Sequence, residues 1–361
     1  MIQCRACHKP FPIDRFPYRC PDCGGLFGFS SELEFEPEKL SPDLPGIWRY
    51  RMGFSLPDDA PVISLGEGNT PLVWSTVHDK KIGFKMESQN PTGSFKDRGT
   101  AVLMSWLKVA GIWEAVEDSS GNAGASFAAY AARAGIRGKV FIPASASGPK
   151  RRQIESYGSE VIPIPGKRSN AADAVLKEVR SGAVYASHAY LPQGTAGIAS
   201  IAYELFEDIG VAPGTVILPV GHGSLLLGIA LGFEGLLEAG LISQIPALIG
   251  VQAAVCAPLY EAFQTDSPEI SPVPEGITLA AGVGISDPFH GKEVLAAVRR
   301  SGGSILAVEE SDILKAQTQL AGLGFYVEMT SALVWSGLEQ IHELIPEPIV
   351  CIITGHGLKN G

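Results

Sequence analysis

The sequence predicts an α/β chain: two domains of parallel, twisted sheet flanked by helices, preceded by a small cysteine-bearing module. Three observations predict it. From residue 115 to residue 186 short apolar runs alternate with helical patterns, the order of a parallel sheet covered by helices. The chain closes on Pro348-Ile349-Val350-Cys351-Ile352-Ile353, an apolar run of the kind buried inside such sheets. Polar, glycine-rich loops follow several of these runs, at the strand ends where open α/β sheets build their sites.

Composition agrees. The 361 residues are 45% hydrophobic and 18% charged, enough for a large core and unlike a disordered chain. A net charge of −10 argues against nucleic acid as a partner. No apolar run reaches the roughly 18 residues of a membrane helix. Met1-Ile2-Gln3-Cys4 lacks a basic region followed by an apolar one, so no secretory leader is expected. The cysteines are then expected in a reducing compartment, the cytoplasm.

The first module spans 1–29. Cys4-Arg5-Ala6-Cys7 and Cys20-Pro21-Asp22-Cys23 are two C-x-x-C knuckles, and Gly24 and Gly25 follow where the backbone must turn. Four thiolates in this pattern close a tetrahedral structural zinc site; the plain alternative is four unliganded thiols. So short a module needs such a staple to fold. Residues 30–60 read as an extended connector with Trp48 and Tyr50 as anchors. Leu65-Gly66-Glu67-Gly68-Asn69-Thr70-Pro71-Leu72 is a glycine-rich loop.

The strand Ile82-Gly83-Phe84-Lys85-Met86 runs into Glu87-Ser88-Gln89-Asn90-Pro91-Thr92-Gly93-Ser94-Phe95-Lys96-Asp97-Arg98-Gly99. Asn90-Pro91 and Thr92-Gly93 are turn dipeptides, and Ser94 is expected to cap a helix starting near Lys96. Unpaired N–H groups and the positive dipole end there favour the free amine, the form that attacks an aldehyde. A solvated surface lysine is the bland alternative.

Downstream, a strand at 115–118 leads through Ser119-Ser120-Gly121-Asn122-Ala123-Gly124 to a helix at 125–134. A strand at 139–143, a helix around Lys150, Arg151 and Arg152, a strand at 160–164, a helix at 170–180 and a strand at 184–186 complete the series. A helix at 197–207 and a strand at 215–220 follow. That strand opens directly on Gly221-His222-Gly223-Ser224-Leu225, a loop whose N–H groups converge at a helix start and suit an anion. Its glycine spacing is neither a dinucleotide fingerprint nor a P-loop. His222 is read as solvated or tied to one backbone group. Strands at 247–252 and 304–308, a helix from Asp312 and a second after 325–328 precede the last strand. Thr354 ends that strand, in Thr354-Gly355-His356-Gly357-Leu358-Lys359. There is no internal repeat and no low-complexity tract.

Four of these stretches, 90–99, 119–124, 221–225 and 354–359, together resemble the pyridoxal-phosphate enzymes of the tryptophan synthase β fold (fold type II). Within them the chain resembles the threonine synthases. The 65–72 loop shares the likeness, and the cysteine knuckles occur in many members. The resemblance implies pyridoxal 5'-phosphate as cofactor, structural zinc, and domains at 30–95 with 191–361 (the larger, cofactor-binding one) and 96–190. It implies that Lys96 forms the Schiff base, that Asn122 bonds the ring hydroxyl oxygen and that Phe95 packs near the ring. Gly221, His222, Gly223, Ser224 and Leu225 would wrap the cofactor phosphate, and Thr354 would face the ring nitrogen. Ser119 or Ser120, with Gly121 and Ala123, would hold the substrate α-carboxylate.

The implied reaction is a lyase's: O-phosphohomoserine and water to threonine and phosphate, by a homodimeric enzyme acting on a small amino acid. Lys150, Arg151 and Arg152 are the candidates for the substrate phosphate, although their spacing is not matched to the family's; a solvated basic face is the alternative. Residues 191–197 look like the matching part of serine/threonine ammonia-lyases, and 285–290 has no counterpart. Three alternatives stand beside the first: a serine/threonine ammonia-lyase, a cysteate-synthase-like β-replacement synthase, and a silent relative that only binds a metabolite.

Overall fold

A computed structural model describes residues 1–359. In chain order its strands and α-helices are β1 (Ile2–Cys4), β2 (Phe27–Phe29), β3 (Leu72–Val77), β4 (Lys80–Lys85), α1 (Lys96–Val109), β5 (Glu114–Glu117), α2 (Asn122–Ala134) and β6 (Arg137–Pro143). Then follow α3 (Pro149–Ser156), β7 (Glu160–Ile164), α4 (Arg168–Arg180), β8 (Val184–Tyr185), α5 (Gln193–Ile209), β9 (Thr215–Pro219), α6 (Ser224–Glu238) and β10 (Ala247–Ala253). The rest are α7 (Pro258–Gln264), α8 (Gly291–Arg300), β11 (Ser304–Val308), α9 (Glu310–Gly322), α10 (Met329–Ile341) and β12 (Ile349–Ile352). Among the described residues no helix is long and apolar enough to cross a membrane.

Two compact units divide the chain. The first comprises Met1–Gly68 and Lys96–Ile198, the second Asn69–Phe95 and residues 199–359. The first unit carries a four-stranded parallel sheet in the order β7-β6-β5-β8. Pro163 lies in β7, an edge strand, where a residue without an N–H is tolerated. The β1–β2 hairpin is antiparallel, pairing Ile2 with Phe29 and Cys4 with Phe27. The second unit carries six strands in the order β11-β10-β9-β12-β4-β3, parallel except for the antiparallel edge strand β3. β9 and β12, in the interior of that sheet, are buried at every position, which explains their unbroken apolar runs. A core of Phe84, Phe325, Trp335, Ile249, Val251 and Cys351 fills this unit, with Phe84 and Phe325 ring centroids 4.7 Å apart.

The connector is not extended throughout. Residues Gly46–Phe54 form 3-10 turns kinked at Tyr50, and both expected anchors, Trp48 and Tyr50, are fully buried. Glu67 explains the anchoring. Its buried carboxylate accepts hydrogen bonds from Trp48 Nε1 (2.8 Å), Tyr130 Oη on α2 (2.7 Å) and the Leu65 backbone N–H (2.9 Å). The Glu67 carbonyl takes the Ile47 N–H at 3.0 Å. At Gly46 a Cβ would lie 1.8 Å from that carbonyl oxygen, so no side chain fits there.

α5 begins at Gln193, four residues before the expected 197. The early turn contains Gly194 and Gly197, which argue against helix by propensity. They are there because α1 crosses too closely for side chains: Cβ atoms would meet the Gly99 and Arg98 carbonyl oxygens at 3.1 and 2.1 Å.

Glu67→Ala would strand two buried side-chain donors and a partly buried backbone N–H and is expected to cost about 2–5 kcal/mol of unfolding free energy. Urea titration of the variant measures it; a loss below about 1 kcal/mol would show that these donors find other partners.

Candidate active site

The lysine loop is fixed from both sides. On one side Glu87, fully buried, accepts from Thr70 Oγ1 (2.7 Å) and from Asn90 Nδ2 (2.8 Å). Gly93 turns in the left-handed region at φ +84°, its N–H donating to the Asn90 carbonyl at 2.7 Å. On the other side the loop pairs with the end of the chain: Ser94 bridges Gly355, the Phe95 N–H donates to the Thr354 carbonyl (3.0 Å), and the His356 N–H donates to the Gly93 carbonyl (3.0 Å). Lys96, half-buried, is then the first residue of α1, as the sequence indicated. Ser94 does not cap this helix. Its backbone is spent on the bridge, and its buried hydroxyl meets no hydrogen-bond partner.

Thr354 lies buried at the carboxyl end of β12, one residue beyond Ile353. Its hydroxyl is 2.9 Å from Ser331 Oγ on the first turn of α10, and Ser331 also takes the Gly355 N–H at 2.8 Å. A Cβ on Gly355 would lie 2.2 Å from the Glu328 carboxylate, which is why glycine follows the threonine. Ser331 and Glu328 escaped the sequence reading, which saw only a strand end leading into a helix.

The glycine cradle is a helix start without a side-chain cap. α6 begins at Ser224 with Gly223 at φ +106°, and among the described residues the N–H groups of Ser224, Leu225 and Leu226 meet no acceptor. Packing keeps the loop bare: a Cβ at Gly221 would meet the Gly282 carbonyl oxygen at 2.8 Å, and one at Gly223 would meet Val294 Cγ2 at 2.4 Å. His222 stacks on Phe289, with centroids 4.4 Å apart, and its Nδ1 lies 3.5 Å from the Phe289 N–H. The unfamiliar segment 285–290 thus serves as the wall of this loop. Bare N–H groups at a helix start and a surface closed to side chains fit a dianionic phosphate.

In the first unit, Ser119 and Ser120 follow β5 and lead into α2, which starts at Asn122 rather than 125. Ser119 Oγ accepts the Gly121 N–H at 3.2 Å, while Ser120, Gly121 and Asn122 are half-buried and Ala123 buried. A Cβ at Gly124 would sit 1.8 Å from the Ser119 carbonyl, so the turn folds tightly onto the helix start. Among the described residues the N–H groups of Ala123 and Gly124 meet no acceptor, again without a side-chain cap. On α3, Arg151 is held by Glu155 (2.8 Å) and the Ala146 carbonyl (3.1 Å); Lys150 is half-buried and Arg152 exposed.

Behind the 119–124 turn lies a carboxyl that the sequence did not mark. Glu117, 1% exposed, has Oε1 3.3 Å from His188 Nδ1 and Oε2 without a partner. Burial, with the Asp118 charge adding, pushes its carboxyl well above the usual range against the opposing charges of Lys96 and Arg168.

The four cysteine thiols converge. Every Sγ lies within 4.8 Å of the others, with Cys4 and Cys23 at 3.4 Å and Cys7 and Cys20 at 3.6 Å. A Cβ on Gly25 would meet Cys4 Sγ at 2.9 Å, while Gly24 turns at φ +73°. Burial pushes the Cys4 thiol up, but the Cys7 and Ala6 N–H groups and neighbouring thiols outweigh it and bring it down to about 7.

Known proteins resemble this chain in sequence. The family model described as pyridoxal-phosphate dependent enzyme matches residues 63–355. The threonine synthase of Methanocaldococcus jannaschii is 34% identical over 100% of this chain and 93% of its own. That of Synechocystis is 35% identical over 87% of this chain and 83% of its own. The chain belongs to the threonine synthase-like pyridoxal-phosphate dependent enzymes. It is a lyase of this family with pyridoxal phosphate as cofactor. Its fold is type II: a threonine deaminase from Solanum lycopersicum superposes with a TM-score of 0.71 at 20% identity, covering 93% of this chain and 94% of its own.

The raised Glu117 pKa has a consequence for stability. The folded chain keeps a proton that the unfolded chain releases above about 4.5, so this residue's contribution is largest below that pH and is lost as pH rises toward the folded value. Glu117→Gln keeps the shape and does not titrate. Its melting temperature is expected to fall less than the wild type's between about pH 5 and about pH 8. Parallel curves would mean that the carboxyl is ionised in the folded chain.

Proposed function

We propose that the chain converts O-phosphohomoserine and water into threonine and phosphate. The observation that carries this reading is the match to threonine synthases across the whole chain. The roles follow from the chemistry of each residue. Lys96 is assigned the covalent hold on the cofactor's aldehyde. With substrate bound, its Nζ would move protons as a general base. The cofactor, when bound, supplies the electron sink for the substrate's carbanion character. Gly221, His222, Gly223, Ser224 and Leu225 are assigned its phosphate, Asn122 the ring hydroxyl oxygen and Phe95 one side of the ring.

Thr354 is assigned the ring nitrogen. Its hydroxyl is oriented by Ser331 and carries no charge, so it does not stabilise a protonated ring as a carboxylate would. The weaker sink favours prompt elimination over a long-lived carbanion. Ser119, Ser120, Gly121 and Ala123 are assigned the substrate α-carboxylate, which unpaired N–H groups at the start of α2 support. Lys150, Arg151 and Arg152 are assigned the substrate phosphate; Arg151 must first leave Glu155.

Cys4, Cys7, Cys20 and Cys23 are assigned one structural zinc ion. Thiolates about 2.3 Å from a tetrahedral zinc stand roughly 3.8 Å apart, and these four Sγ atoms lie within 4.8 Å of one another, with two pairs at 3.4 and 3.6 Å. A homodimer in the cytoplasm completes the reading. A single-chain mass by light scattering would remove the dimer.

Lys96→Ala is expected to lose the near-visible absorption of the lysine-bound cofactor and all phosphate release from O-phosphohomoserine. Wild-type protein that frees keto acid from serine or threonine, and no phosphate, would instead be an ammonia-lyase. Elemental analysis of protein purified without chelator is expected to give one zinc per chain, with a lower melting temperature after removal. Metal-free protein of unchanged stability would leave the thiols unliganded.

A further inference from the structure

The cysteine module has its own small core. Phe11 packs edge-on against Phe16 (5.1 Å) and Phe27 (4.8 Å), and Tyr18 takes no part in it. Tyr18 instead packs on the core formed by Val116, Phe141, Val175 and Tyr185. Its ring centroid is 5.7 Å from that of Tyr185 and 5.1 Å from that of Tyr190, which are themselves 5.7 Å apart. Next to it, the Arg19 guanidinium lies 5.2 Å from the Tyr190 ring centre and donates to the Gly24 carbonyl at 3.0 Å. Cys20 follows at once, its N–H on the Gly25 carbonyl at 2.8 Å. Tyr18, which touches the sheet at Tyr185, and Arg19, which lies on Tyr190, are thus joined to the turn that carries Cys20 and Cys23.

What they touch leads to the substrate loop. Tyr185 ends β8 and pairs with Val116 of β5, and the next N–H, that of Ala186, donates to the Val116 carbonyl at 2.9 Å. Asp118 directly precedes Ser119, whose carbonyl presses on the start of α2. Ser187 carries the turn holding Tyr190 and Leu191, just before α5 approaches α1 at Gly194 and Gly99.

We propose that the cysteine module positions the substrate-binding turn: Tyr18, backed by the metal-bound knuckles, fixes Tyr185 and, through the pairing of β8 with β5, the 119–124 turn that follows β5. Tyr18 is a positioning residue. It supplies an aromatic wall, and the pairing of Tyr185 with Val116 carries that wall to the end of β5, beside Ser119. The proposal rests on the assignment of that turn to the substrate α-carboxylate.

Tyr18→Ala and Tyr18→Phe, both zinc-loaded, test it. In Tyr18→Ala, KM for O-phosphohomoserine is expected to rise about tenfold while kcat stays within about twofold and cofactor absorption is unchanged. Deuterium uptake should quicken at residues 118–126 and not across the rest of the unit. Tyr18→Phe keeps the ring and should match the wild type in every readout. Unchanged uptake at 118–126 in Tyr18→Ala overturns the proposal, as does loosening spread over the whole unit. If Tyr18→Ala does not fold, Tyr18→Leu keeps the apolar volume without the ring and takes its place. Uptake needs no substrate: wild-type protein inactive on O-phosphohomoserine would sink the assigned reaction, and exchange at 118–126 would still decide the role of Tyr18.

Discussion

Backbone pairing between the lysine loop and the end of the chain is the constraint on which the candidate site depends. Thr92 and Lys359, which share a hydrogen bond, stand 267 residues apart in sequence. Closing so long a loop carries an entropic cost that one contact does not offset. The bridge between Ser94 and Gly355, the bonds from Phe95 and His356, and the burial of β12 beside β4 offset it together. The result sets the Phe95 N–H against the carbonyl of Thr354 without using the Thr354 side chain.

Buried acids perform the same service elsewhere. Glu67 and Glu87 each gather several donors from separate stretches, and Glu204 takes both the buried ammonium of Lys85 and the Asn69 N–H. A carboxylate removed from water is costly unless its lone pairs are filled, so each demands one arrangement of its neighbours. This gives a physical reason for the polar composition of the 65–72 loop, which looks like ordinary surface loop until its partners are known.

Much of the fold was legible in sequence because apolar runs are long where strands are buried on both faces; β9 and β12 fall on the residues those runs mark. The start of α5 was hidden because close helix crossing selects glycines, which read as loop. α8 was missed between glycine-rich stretches although it is amphipathic, and β3 because an edge strand is only half covered. At the site, candidate residues could be named from the resemblance of four stretches to a known family. Ser331, Glu117 and Tyr18 could not, since each matters through a partner distant in sequence, and a lone serine, glutamate or tyrosine carries no periodic signal.

The borders of the smaller sheet carry one more implication. β7 presents a proline within its five residues, and β8 at the opposite border is only two residues long. Neither rim offers an incoming strand a continuous row of donors and acceptors. Association between copies through main-chain ladders at this sheet is therefore disfavoured, and whatever contact such copies make must be built from side chains.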